Sequence, residues 1–191
     1  ITKGIARGVF SNEAGLGSAP MVHATAVVDH PVRQGMYGLF EVFTDTIVIC
    51  TLTALAILTS GVLTAKADLS GAQLSLSAFE TVLGGTGTMI LSVGLALFAF
   101  STILGWYWYS ETCGTYIFGQ WIIPVLKVLW VALIVVGAAG GVFLGDAAGF
   151  LSNLWDLSDT LNGLMAAPTL VALLLLSGEL RRRVKDFDDK R

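Results

Sequence analysis

The reading of this chain turns on Phe10-Ser11-Asn12-Glu13-Ala14-Gly15-Leu16-Gly17-Ser18-Ala19-Pro20, close to its start. Apolar residues flank a stretch of Gly, Ser and Asn, and a proline closes it. This is the pattern of a helix interrupted at membrane depth. Gly15 and Gly17 let the backbone unwind, while Ser11, Asn12 and Ser18 offer polar side chains. An interrupted helix exposes unpaired N–H groups on one half and unpaired carbonyls on the other. The first suit a carboxylate and the second a small cation. The residues alone leave a second reading open, a Gly/Ser-rich face for close helix packing. A glycine-rich nucleotide loop does not fit, because no strand precedes it and Pro20 stands where the third glycine belongs.

The rest of the chain gives this segment its setting. Of 191 residues, 54% are hydrophobic and 13% charged, and the mean hydropathy is +0.76. Soluble domains carry about 25% charged residues, so this chain has roughly half that share. The composition excludes a disordered chain, a disulfide scaffold and a soluble enzyme, and it predicts an all-α integral membrane protein. Its 22 glycines follow no collagen period, and membrane helices tolerate glycine. Arg181, Arg182, Arg183, Lys185, Lys190 and Arg191 cluster behind the last apolar run, and nothing resembles a nucleic-acid stripe. Cys50 and Cys113 lie far apart in apolar stretches and are expected to be buried free thiols. A start at Ile1, with no signal-peptide layout, leads us to expect a piece of a longer protein.

In order, residues 1–34 are expected to hold the discontinuous helix and a cytoplasmic loop, and 35–61 a transmembrane helix. Residues 62–86 form an external loop with a short helix. Residues 87–118 and 119–145 are two further transmembrane helices, each meeting the length of about 18–20 residues that a crossing needs. The last spans 146–180, bent or broken near 162–168 by Asn162, Gly163 and Pro168. Residues 181–191 are a basic tail. Ser77-Ala78-Phe79-Glu80 has the form of a capping box and predicts a short helix from Ala78 to Leu83, closed by Gly84 and Gly85. The positive-inside rule puts the tail in the cytoplasm and hence the Thr64–Gly85 stretch outside, with Lys66 a minor counter-signal.

Ser101 and Thr102 place adjacent hydroxyls in mid-span, and Trp106 follows Thr102 by one turn on the same face. Oxygen atoms are what a hard, small cation needs, and an aromatic wall beside them limits substrate size. Hydroxyls in membrane helices also bond back to the preceding turn, which leaves both readings open. Glu41 and Asp45 share one face of the first full span. Asp45, flanked by Thr44 and Thr46, is the better candidate for a buried polar network. Glu13 is placed to cap the loosened backbone. Asp156 and Asp159 are expected at a membrane interface, and His23 and His30 in a solvated loop.

Arg7–Pro20 as a whole resembles the signature stretch of the sodium:alanine symporter family (alanine or glycine:cation symporters). Further similar stretches are His30-Pro31-Val32-Arg33-Gln34-Gly35, Asp45-Thr46 with Cys50-Thr51, and Phe98 to Trp106. The last is Asn162-Gly163-Leu164-Met165-Ala166-Ala167-Pro168, where the family more often has Ile for Ala167 and Asn after the proline. The resemblance implies a LeuT-like architecture of two inverted five-helix repeats. This chain then runs from the discontinuous sixth core helix to the tenth, and the N-terminal half of the same protein is missing. It implies sodium ligands at Ser101 and Thr102, and substrate contacts from Phe10, Asn12, Gly15, Thr102 and Trp106. Ser11, Glu13, Gly17 and Asp45 are further functional candidates.

The expected function is therefore the C-terminal part of a secondary transporter in a prokaryotic plasma membrane. It couples sodium, the co-transported ion, to uptake of alanine or glycine, with no organic cofactor and no nucleic-acid partner. Those two substrates differ by one methyl, worth about 1–3 kcal/mol, so the sequence leaves the choice open. A structural or channel-type membrane subunit is the alternative, and it leaves the polar interruption unexplained. A membrane hydrolase using Ser11 or Ser18 with His23 as base lacks an oxyanion-hole motif, and the chain is not expected to be an enzyme.

Overall fold

Glycine and proline punctuate an otherwise helical chain. The computed structural model describes residues 2–66, 69, 71–143 and 145–190. Residues 67, 68 and 70 of the expected external stretch, Leu144 of the third span and Arg191 of the tail lie outside the described residues. The elements are α1 (Thr2–Asn12), α2 (Ala19–His23), α3 (Pro31–Phe43), a π-helical turn (Thr44–Ile49), α4 (Cys50–Thr59) and α5 (Val62–Ala65). They continue as α6 (Gly71–Phe118), a 3-10 turn (Gln120–Ile122), α7 (Ile123–Phe143) and α8 (Ala147–Asp189). Among the described residues, four runs are long and apolar enough to cross a membrane: Pro31–Thr59, Gly71–Phe118, Gln120–Phe143 and Gly149–Asp189. Phe40, Leu52, Leu97, Val128 and Leu174 on these runs point outward. Such faces need lipid, and an α-helix satisfies its own backbone there. The chain is a multi-pass membrane protein.

Two compact units make up the chain, Phe43–Trp108 and the remainder, Ile1–Val42 with Tyr109–Arg191. In the first, the amide of Cys50 bonds to the carbonyl of Asp45, the wide spacing of a π-turn, which recurs at functional sites. The 62–86 stretch, expected as a loop with one short helix, is more helical than that, holding α5 and the first segment of α6. The helix expected at 78–83 is present but begins earlier, at Gly71, and it ends where two helical segments of α6 meet at Gly84. Ser77 does not act as an N-cap. It is buried, and its hydroxyl accepts a hydrogen bond from Lys66 Nζ at 3.1 Å. Gly84 closes the first of these segments, as expected, at a kink with φ 63 and ψ −155, and the second runs on to Phe118. The kink drives Gly87 so close to Phe79 that a Cβ would stand 2.8 Å from that carbonyl oxygen.

In the second unit, α3 starts at Pro31, where a missing N–H costs nothing. Helices α7 and α8 pack through Gly140, whose absent Cβ would sit 2.5 Å from Phe150 Cζ. Asp146 caps α8 by accepting from the Gly149 amide at 2.9 Å. Of the bend or break expected at 162–168, the break is absent: α8 runs helical through Pro168 to Asp189. Pro168 brings no N–H to the Leu164 carbonyl, a loss that membrane helices tolerate, and beside it the Thr169 hydroxyl donates to the Met165 carbonyl at 3.0 Å. The expected basic tail is the end of this helix. Cys50 and Cys113 are free, as expected, but both lie at the surface and not in the interior.

Candidate functional site

Helix α1 stops at Asn12 and α2 starts at Ala19, so the Gly/Ser run is an interrupted helix. The turns between them are made by Glu13 N–H to the Phe10 carbonyl (3.4 Å) and Leu16 N–H to the Glu13 carbonyl (3.2 Å). Gly15 and Gly17 take φ of +81 and +86, and Glu13 takes +50. Asn12 turns its amide back, donating to the Gly8 carbonyl at 3.0 Å. Ser18 is 1% exposed, and its hydroxyl caps nothing and has no hydrogen-bond partner. A buried polar group left unpaired costs about 1–3 kcal/mol, so its retention here asks for a use.

Three partners of this segment escaped the sequence reading. The Tyr109 hydroxyl donates to Glu13 Oε2 at 2.9 Å. The Phe10 ring meets Trp155 edge to face, with centroids 5.9 Å apart and planes at 81°. The Arg7 guanidinium lies 4.0 Å above the Trp155 ring and donates two hydrogen bonds to Asp159, at 2.7 and 3.2 Å. Asp159 is therefore one half of an ion pair. Arg7 itself was the available signal, because a cation beside a membrane-depth interruption needs a partner.

The histidines, expected in a solvated loop, are partly buried and have side-chain partners. His23 Nδ1 is 2.8 Å from Gln34 Nε2, and its Nε2 is 3.6 Å from a Glu41 carboxylate oxygen. His30 Nε2 is 3.3 Å from Asp186 Oδ2, and its ring lies tilted at 39° to that of Phe187, with centroids 5.1 Å apart. With His23 so engaged and the Ser18 hydroxyl unpaired, the pair does not form a nucleophile and base.

In the other unit, Ser101 and Thr102 both donate to the Phe98 carbonyl, at 2.9 and 2.8 Å. A hydroxyl that has given its proton still has lone pairs to offer a cation. Trp106 follows on the same helix, half-buried, and Asp45 sits half-buried in the π-turn.

The profile of the Sodium:alanine symporter family matches residues 1–191. The chain belongs to this family. It is 41% identical over 190 residues to the sodium/alanine symporter AgcS of Methanococcus maripaludis, covering 98% of this chain and 40% of that protein. The amino-acid carrier protein AlsT of Bacillus subtilis is 38% identical, covering 100% of the chain and 39% of the carrier. The probable sodium/glutamine symporter GlnT of Bacillus subtilis is also 38% identical, over 98% and 37%. The chain thus spans about two fifths of the length of these relatives. No solved structure gives a significant match. The family and the names of these relatives point to a transporter and not an enzyme.

Proposed function

We propose that this chain is the C-terminal part of a secondary active transporter that couples sodium entry to uptake of a small neutral amino acid, alanine or glycine, by alternating access. The observation that carries the reading is the interruption between Asn12 and Ala19, with two glycines at positive φ and a buried, unpaired Ser18 hydroxyl. Such a segment offers an amino-acid carboxylate free N–H groups and a cation free carbonyls. Phe10, Asn12 and Gly15 contact the substrate there, with Ser11 and Gly17 shaping the unwound backbone. Ser101 and Thr102 supply sodium oxygens, and Thr102 and Trp106 bound the substrate. Asp45 belongs to a supporting polar network.

The wider architecture in this proposal is LeuT-like, with this chain as the second of two inverted repeats and an N-terminal half supplying the rest. The membrane is the plasma membrane. Relatives bear both alanine and glutamine in their names, so substrate size varies around a shared frame. Bulky aromatic walls at Phe10 and Trp106 favour the small end of that range.

The test is a full-length carrier containing this segment, reconstituted in liposomes with an inward sodium gradient. Saturable alanine uptake that collapses without the gradient is the expected result. A non-saturable flux identifies a channel and overturns the proposal, as does uptake indifferent to sodium.

A further inference from the structure

We propose that Trp155 is a positioning residue that sets substrate specificity: it backs the Phe10 ring and so fixes how large a side chain the pocket admits. The inference rests on the transport reading above. Phe10 stands two residues before α1 ends, on its last turn, with no further turn of α1 beyond it to close over the ring. Its ring is held instead by Trp155 of α8, in an edge-to-face pair that aromatic quadrupoles favour.

Trp155 is held in its turn. The Arg7 guanidinium covers one face of the indole at 4.0 Å, a cation–π contact, and Asp159 fixes that guanidinium through two parallel hydrogen bonds. Arg7 and Phe10 are three residues apart on α1, and Trp155 and Asp159 four apart on α8, so each pair shares one helix face. The four side chains therefore interlock in the order Asp159, Arg7, Trp155, Phe10. A Phe10 ring so braced cannot swing aside to admit a larger substrate; without Trp155 it can.

Core packing does not explain this arrangement. Trp155 remains 38% exposed, so shortening it opens no interior cavity. A change in substrate choice would then report on Phe10 and not on a collapsed core.

The experiment measures kcat/KM for alanine and leucine, with the sodium midpoint, in a full-length carrier containing this segment. Trp155→Leu should raise the leucine-to-alanine ratio at least about tenfold, the scale on which an apolar pocket sorts substrates by methylenes. Asp159→Asn keeps the shape, frees Arg7 and should move the ratio the same way, about threefold, for loss of a charge-assisted pair. The sodium midpoint should stay put in both. If Trp155→Leu fails to insert, Trp155→Phe takes its place, with a smaller rise. An unchanged ratio in variants that still take up alanine overturns the inference, and so does an equal loss of both substrates. Absence of sodium-driven uptake in the unmodified carrier would instead refute the function proposed above.

Discussion

The Tyr109 hydroxyl donates a 2.9 Å hydrogen bond to Glu13, which alone among the described non-glycine residues has a positive φ. A left-handed conformation costs a non-glycine residue about 1–2 kcal/mol, and such strain persists only where the surroundings hold it. Tyr109 is part of what holds Glu13. The interruption in α1 is thus kept open by glycines on one side and by a side-chain bond on the other.

Tyr109→Phe should therefore lower stability by about 1–2 kcal/mol, the scale of one such bond, and should weaken alanine binding. Glu13→Gln keeps an acceptor oxygen and should be milder. In a Glu13→Gly background, with strain and acceptor both gone, the Tyr109 change should cost almost nothing. Melting curves and binding isotherms for the double-mutant cycle check this; additive effects would mean that the two residues are not coupled.

Gly17 and Gly15 should differ in a way that geometry dictates. Both have positive φ, so alanine at either costs about 1–2 kcal/mol from the backbone. A Cβ on Gly17 would also stand 2.9 Å from Thr169 Oγ1, whereas one on Gly15 meets nothing nearer than Leu170 Cδ2 at 3.8 Å. Gly17→Ala should be the more damaging, and adding Thr169→Ala should restore part of its loss and none of that at Gly15. Thermal stability of the four variants decides it. Gly15→Val should damage alanine binding more than expression, since a branched residue cannot follow the unwound path; a loss of stability alone would make the segment a packing face.

What was legible in the sequence was what is local. The interruption at Asn12–Ala19 announced itself by composition within a dozen positions, and the four apolar runs by length. Helix ends were harder. Ser77 has the form of an N-cap, but Lys66 takes its hydroxyl and the helix starts before it. Pro168 should break a helix by its own stereochemistry, and a membrane helix tolerated it. The Arg7–Asp159 pair joins residues 152 positions apart, and no periodicity in either segment announces the other. Such partners become visible only once α1 and α8 lie side by side.

Orientation has a direct test. With the basic end of α8 in the cytoplasm, Ala72 near the start of α6 should face the outside and Lys185 the inside. An impermeant thiol reagent applied to intact cells should modify Ala72→Cys and spare Lys185→Cys, in a carrier whose own surface cysteines, Cys50 and Cys113, have been replaced. The reverse pattern would invert the topology.

Thr102 offers the most discriminating measurement. Its hydroxyl proton is committed to the Phe98 carbonyl at 2.8 Å, which points its lone pairs away from that bond. As a sodium ligand it needs only those lone pairs, so back-bonding and ligation are compatible, and a substitution separates them. Thr102→Val keeps the shape and removes the oxygen. An ion that has shed its water has few replacements at that depth, so the sodium midpoint should rise clearly, by about tenfold for a loss near 1.4 kcal/mol. By linkage, alanine binding should weaken most at low sodium and least at saturating sodium. Thr102→Ser retains the oxygen and should stay close to the unmodified carrier. If the hydroxyl serves only the preceding turn, neither change moves the sodium dependence. Alanine binding measured against sodium concentration for the three proteins decides between the two: an unchanged midpoint in Thr102→Val removes Thr102 from the ion's shell.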